Sequence, residues 1–233
     1  MNVAPKSRRD LVMDGIKNHI ITNGLQPGDI LPTETELCEL LGASRSSIRE
    51  AMRALATLEI TEVHHGKGTF VGPMTLDPMV QLVVFRGVVK NKNSIGTLRD
   101  IVKVRQGLDI AESERIVSSL KDSSNPALWE LVHAMEVRAE KGLTFPEEDR
   151  AFHTEIISKV GNPLMTQLVG AFWDIHTGVL PELGLHLPRN LVPTARAHGD
   201  MLFAAESGDV DAWRQSVVAH YEPLMTALEA AES

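Results

Sequence analysis

The stretch TETELCELLGASRSSIREAMRALATL, residues 33–58, constrains the fold of this chain more than any other. Thr33 can cap a helix with its hydroxyl, and Glu36, three residues on, can reach back to the cap's own amide. Leu37, Leu40 and Leu41 make one apolar face, and Gly42 supplies the left-handed residue on which such a helix stops. Ser44 then caps a further helix running to about Leu58. On that helix Ile48, Ala51, Met52 and Leu55 gather on one arc, while Arg45, Arg49 and Arg53 fall within about 80° of one another on a separate one. Two helices joined across Gly42-Ala43-Ser44, the second exposing arginines from its first turn, make a helix-turn-helix. Arginine suits the exposed face because its planar fork can grip guanine O6 and N7 together, or a phosphate. Small Ser46 and Ser47 let the helix approach a groove closely. Taken alone, the helix fits a solvated surface equally well; its context decides.

Residues 8–22, RRDLVMDGIKNHIIT, repeat Leu11, Val12, Ile16 and Ile20 at helical spacing, closed by Asn23-Gly24 and a PGD turn at 27–29. Downstream, ITEV, HHGKG and TFV read as strand, glycine-rich turn and strand. His64, His65 and Lys67, set around Gly66 and Gly68, fit a wing laid along the minor groove or the phosphate backbone. A formal charge of −8 argues against nucleic acid until it is mapped. Residues 1–72 hold eight Lys/Arg and nine Asp/Glu, net −1, and the remainder hold fifteen and twenty-two, net −7. The acidity lies in the C-terminal part, and local clustering outweighs the total.

At this point the resemblance is plain. Residues 8–72 resemble the winged helix-turn-helix of the GntR family, through LQPGDILPTETELCELLGASRSSIREAMRAL and then HHGKGTFV. The motifs PG..LP.E..L, SR..IREA and G.GTFV are specific in combination and span the whole domain. The resemblance implies double-stranded DNA as partner, with Arg45, Ser46 and Arg49 at base edges or phosphates and His65, Gly66 and Lys67 at the wing tip. Arg53, farther along, is expected at a phosphate or merely exposed. Two positions depart from the family pattern: Thr35 stands where an arginine is usual, and Glu59 where glycine is favoured.

Beyond about residue 76 no alternating strand is evident. Helices are expected near 76–91, 97–120, 126–142, 146–160, 163–180, 189–207 and 209–231, punctuated by Asn125-Pro126, Phe145-Pro146, Gly161-Asn162-Pro163 and Gly208-Asp209. The expected fold is mainly α: a winged helix-turn-helix over 1–73 and an all-helical bundle over 74–233. The single cysteine, Cys38, cannot form an intrachain disulfide and suits a reducing cytosol. MNVAPKSRRD has no apolar core of a signal peptide, and no run approaches the roughly 18 apolar residues of a membrane span. A cytoplasmic protein with no membrane partner is expected.

In the second half Asp149 and His153 stand four apart on one helix face, a spacing that suits two ligands of one ion and equally a surface Asp–His pair. His198 and His220 lie on later helices, and periodicity does not bring the four together. Residues 76–231 resemble the FCD ligand-binding domain of FadR-like GntR regulators through VRQGLD, D..FH..I, GNPL and H...LFAAESGD, followed by a histidine on the last helix. That resemblance implies Asp149, His153, His198 and His220 as ligands of a divalent metal ion. Nitrogen and oxygen donors without thiolate suit Zn²⁺, Ni²⁺, Mn²⁺ or Fe²⁺. Arg105, among Ile101, Val104 and Leu108, reads as a guanidinium pointing partly inward, and a buried charge needs a partner. That partner is a bundle carboxylate in a structural salt bridge or, as the resemblance favours, the carboxylate of a small organic-acid effector.

The function implied is a regulator that binds a palindromic operator as a homodimer and, as a repressor, is released by the effector. One alternative makes the metal ion itself the signal. A metal hydrolase is disfavoured: HEXXH and related signatures are absent, and no general base stands beside the four ligands.

Overall fold

A computed structural model of the chain describes residues 6–89, 94–182 and 191–232. Residues 1–5, the end of the helix expected at 76–91 and the start of the one expected at 189–207 lie outside the described residues. The chain divides into two compact units, Met1–Pro78 and Met79–Ser233, against the boundary expected after residue 73.

The first unit runs α1 (Arg8–Thr22), α2 (Glu34–Leu41), α3 (Arg45–Thr57), β1 (Thr61–His64) and β2 (Gly68–Val71). Thr33 and Glu36 form the reciprocal capping box, Gly42 stops α2 at φ 59°, and the Ser44 hydroxyl accepts from the Ser47 amide at the start of α3. Ser7 and Asp10 repeat the box at α1. Ile16, Leu37, Ile48 and Leu55 are the centre of this unit's core, with α1 and α2 both packed on α3. Each such side chain removed from water contributes about 1.5–3 kcal/mol.

The two strands pair antiparallel, from Thr61 opposite Val71 to His64 opposite Gly68. The far edge of β2 is not left open. Leu31 N donates to Thr69 O at 2.8 Å and Val71 N to Asp29 O at 2.8 Å, which pins the wing to the segment just before α2.

Glu59, which follows α3, sits at φ 54°, in the left-handed region that glycine adopts without penalty. Its side chain accepts from the Thr75 hydroxyl, a bond on the surface that recovers little of the strain. Glu59→Gly is therefore expected to stabilise the first unit by about 1 kcal/mol, read as a higher urea midpoint with an unchanged m-value. A lower midpoint would show that the Thr75 bond outweighs the strain.

The second unit is helical throughout its described residues: α4 (Asp77–Val88), α5 (Ser94–Ala111), α6 (Ser113–Leu120), α7 (Pro126–Glu140), α8 (Pro146–Ser158), α9 (Pro163–Glu182), α10 (Val192–Ser207) and α11 (Val210–Glu232). Proline opens α7, α8 and α9, where its missing N–H costs nothing. α10 packs on α11 and α7, α5 on α11 and α9, and α8 on α7 and α9. Leu98, Met135, Phe152 and Trp213 are all fully buried between them.

The single helix expected over 97–120 is two, broken at Glu112. The Asp109 carbonyl accepts from the indole Nε1 of Trp213 at 3.3 Å, and the backbone ladder is interrupted at that turn. Ser113, fully buried just past the break, accepts from Arg214 Nε at 3.0 Å. The break is thus made by α11, not by local sequence.

Candidate nucleic-acid interface and candidate metal centre

The apolar arc of α3 is buried and the opposite arc is not: Arg45, Ser46, Arg49 and Arg53 are all exposed, as are His65, Gly66 and Lys67 in the wing. The structure thus places every sequence-derived DNA-contact residue on the surface of the first unit. Gly66 and Gly68 take φ 76° and 118°, the conformation that lets the turn between the strands close over Lys67. Arg49 Nε donates to Glu34 Oε2 at 2.8 Å, so the first turn of α2 steadies an arginine of α3. Both groups are well exposed, and a pair of this kind is worth little to stability. Among the described residues Arg45 and Arg53 have no ion pair, which leaves their guanidinium groups available to phosphate.

In the second unit Asp149 and His153 on α8, His198 on α10 and His220 on α11 converge, with one donor atom from each within 4.8 Å of all the others. The three imidazoles are buried and Asp149 is partly so. Asp149 Oδ1 lies 3.3 Å from His153 Nε2 and 3.3 Å from His198 Nε2, and His153 Nε2 lies 3.2 Å from His220 Nε2. Donors held about 2.1 Å from one ion stand roughly 3–3.4 Å apart, so these separations fit a shared cation.

The far sides of the rings give an independent test. His198 Nδ1 faces the Thr194 carbonyl at 2.8 Å, and His153 Nδ1 faces Asp109 Oδ2 at 3.3 Å. Both partners accept, so each Nδ1 carries a proton, and in the neutral ring each Nε2 presents a lone pair. In those neutral tautomers two lone pairs and a carboxylate oxygen point at one another, the donor arrangement a shared cation accepts. Burial alone would raise the Asp149 carboxyl, but the neighbouring imidazoles, His198 first, outweigh it and hold the carboxyl well below the usual carboxylate range. Burial, followed by the neighbouring His198 and His153, holds His220 neutral. Both shifts run towards the forms that bind a metal ion, a carboxylate and a neutral imidazole.

Beside this cluster lies Arg105 on α5, buried at 4 % exposure. Among the described residues it has no carboxylate partner. Its guanidinium carbon lies over two rings, 5.4 Å from the Trp173 centroid and 5.5 Å from that of Tyr221. Nη1 meets His176 Nδ1 at 2.6 Å. Tyr221 donates to Asp109 Oδ2 at 2.8 Å, and Trp173 Nε1 donates to Asp149 Oδ1 at 3.4 Å, so the two rings beside Arg105 are bonded to the donor cluster and its support.

Four of these residues, Asp109, Trp173, His176 and Tyr221, escape the sequence reading. Asp109 stands one helical turn after Arg105, Tyr221 follows His220, and Trp173 and His176 share a face of α9. Those adjacencies are the only signal the sequence offers, and they become informative once Arg105 and His220 are suspected.

Comparison with known proteins agrees with this layout. Residues 9–71 match the profile of the bacterial regulatory proteins, gntR family, and residues 100–223 match the FCD domain. The galactonate operon transcriptional repressor of Escherichia coli K12 is 26 % identical over 216 residues, covering 91 % of this chain and 93 % of that one. A fatty acid metabolism regulator protein of Shewanella sp. ANA-3 is 25 % identical over 164 residues, 70 % of this chain and 66 % of its own. Among solved structures, Streptococcus agalactiae GntR superposes with a TM-score of 0.65 at 23 % identity, covering 94 % of this chain and 99 % of the other, a likeness of fold. These relatives are transcription regulators, not enzymes.

Proposed function

The chain belongs to the GntR family of transcription regulators and carries an FCD domain; from that premise we propose that it is a homodimeric repressor, released from a palindromic operator when a small carboxylate binds beside a divalent metal ion in the FCD domain. The observation that carries the reading is Arg105, a buried guanidinium with no carboxylate partner among the described residues, set beside a cluster of metal-type donors. Burying an unpaired charge is costly, and the cost is recovered when an anion arrives. Zn²⁺, Ni²⁺, Mn²⁺ and Fe²⁺ all suit three imidazoles and a carboxylate. Asp149, His153, His198 and His220 would hold the ion, which when bound supplies a Lewis-acidic position for a ligand oxygen.

The chain's own residues do the rest. Asp109 and Thr194 orient His153 and His198 through their Nδ1 atoms. Trp173 and Tyr221 enclose Arg105 and exclude water, so its attraction for an anion is little screened. Charge sets the preference: Asp109 and Asp149 against Arg105 leave one net negative charge, a divalent ion reverses it, and a single carboxylate brings the chamber to neutrality. The likeness to a galactonate operon repressor puts sugar acids first among candidates. No helix among the described residues is long and apolar enough to cross a membrane.

Release requires that the effector bind the DNA-competent state less well than the other. The test is a mobility-shift titration of the protein on DNA from upstream of its own gene. Sugar acids, hydroxy acids and dicarboxylates are added with metal held constant, and then metal alone. Release by an acid is the expected result; release by metal alone would transfer the role of signal to the ion.

On the DNA side, Arg49→Ala is expected to weaken operator binding by about 1–3 kcal/mol if Arg49 makes a bidentate base contact. If it contacts phosphate instead, affinity falls for all sequences and the salt slope drops by about one. Unchanged affinity at every salt concentration would remove Arg49 from the interface.

A further inference from the structure

His176 has two ring nitrogens and only one of them is accounted for. Arginine can only donate, so Nδ1, 2.6 Å from Arg105 Nη1, is the acceptor and the ring proton sits on Nε2. That Nε2–H is buried and has no hydrogen-bond partner among the described residues, in a side chain 8 % exposed. Buried donors without an acceptor are rare because each costs about 1–3 kcal/mol. Protonation does not relieve the problem, since burial and the Arg105 charge hold the ring pKa down to about 3. The ring stays neutral and keeps a fixed donor on Nε2.

The two nitrogens of an imidazole point to nearly opposite sides of the ring. An acceptor on Nε2 is therefore not the oxygen that Arg105 grips on the other side. A ligand that satisfies both residues carries two oxygen functions set apart along its skeleton. Charge neutrality in the chamber calls for one carboxylate, which leaves the second function a neutral hydroxyl.

We propose that His176 is a specificity-determining residue of the effector site, whose Nε2–H donates to a hydroxyl of a hydroxylated monocarboxylate, a sugar acid or related hydroxy acid, while Arg105 holds the carboxylate. The inference rests on the carboxylate-effector reading above and adds to it the selection of a hydroxylated over an alkyl acid. A site built to bond a hydroxyl discriminates strongly against the ligand that lacks it, because its own polar group is left unpaired.

The experiment measures binding of D-galactonate, D-gluconate and D-glycerate against hexanoate and butyrate by calorimetry. It uses the full-length protein, His176→Phe, His176→Gln and Arg105→Met, at a fixed metal load. The wild type is expected to prefer its best hydroxy acid over the alkyl acid by roughly tenfold or more, the value of one such bond. His176→Phe should bring the two within about threefold, while His176→Gln, which keeps an N–H donor, restores most of the preference. Should His176→Phe fail to fold, a His176→Gln protein that has lost the preference despite a native unfolding midpoint would overturn the proposal. So would wild-type preference retained in folded His176→Phe, with the carboxylate reading left standing if Arg105→Met abolishes binding. If no acid of either kind binds the wild type, the carboxylate reading itself fails and His176 with it.

Discussion

Replacing both His198 and His220 by alanine is expected to reduce tightly bound metal from about one ion per chain to background, measured by elemental analysis after dialysis. Two of four convergent donors are lost, and those that remain, Asp149 and His153, both come from α8. The same change should remove the metal's contribution to stability. With free ion a thousandfold above its dissociation constant, that contribution is about 4 kcal/mol. For a domain of this size it corresponds to a fall of roughly 8–16 °C in the melting temperature of the second unit. Chelation of the wild type should reproduce the fall, and the double variant should no longer respond to chelator. Asp109→Asn tests the support separately: weakening the partner of a ligand imidazole typically costs 10–100-fold in metal affinity with the ligand set intact. Full metal retention in a folded double variant would remove the site.

Arg105→Met should have two effects of opposite sign. The carboxylate response disappears: an effector that shifts the wild-type melting temperature or releases the operator does neither with the variant, a loss of on the order of 100-fold in affinity or more. Without effector, the variant should be no less stable than the wild type. Methionine keeps an apolar stem between Trp173 and Tyr221, and it removes a buried charge that has no carboxylate partner among the described residues. A structural arginine behaves otherwise, because its removal strands a carboxylate and destabilises the fold at once. Chemical unfolding of both proteins with and without acid separates the cases. Marked destabilisation of Arg105→Met without acid would contradict the ligand role.

Local signals account for what the sequence shows directly. Thr33, Glu36, Gly42 and Ser44 act within three or four residues of themselves, so the helix-turn-helix can be read without its surroundings. The prolines of α7, α8 and α9 act the same way. The metal-type cluster is another matter. Asp149 and His153 are a visible pair, but His198 and His220 join them only through the packing of α8, α10 and α11, and family likeness supplies what spacing does not. The break at Glu112 depends on Trp213, 104 residues from the carbonyl it engages, and no local pattern announces it. His176 is more hidden still. In WDIHTG it is one of nine histidines, and its meaning comes from a guanidinium 71 residues away in sequence. Val104, an apolar neighbour of Arg105, is 45 % exposed while Arg105 itself is buried, the reverse of what hydropathy suggests.

Asp109 is held at both ends. Its carboxylate takes Tyr221 and faces His153, and its carbonyl takes the indole of Trp213. Arg105 lies one turn earlier on the same rigid helix, so a pull on its guanidinium reaches an imidazole of the metal cluster through a single covalent lever. Occupancy of the two proposed ligands would then be thermodynamically linked, with the linkage running both ways. An acid that binds more tightly when the ion is present must slow the ion's escape or speed its capture. On the proposed function, a cell depleted of that metal would read a given acid concentration as a lower one, and the regulator would report the product of two supplies rather than either alone.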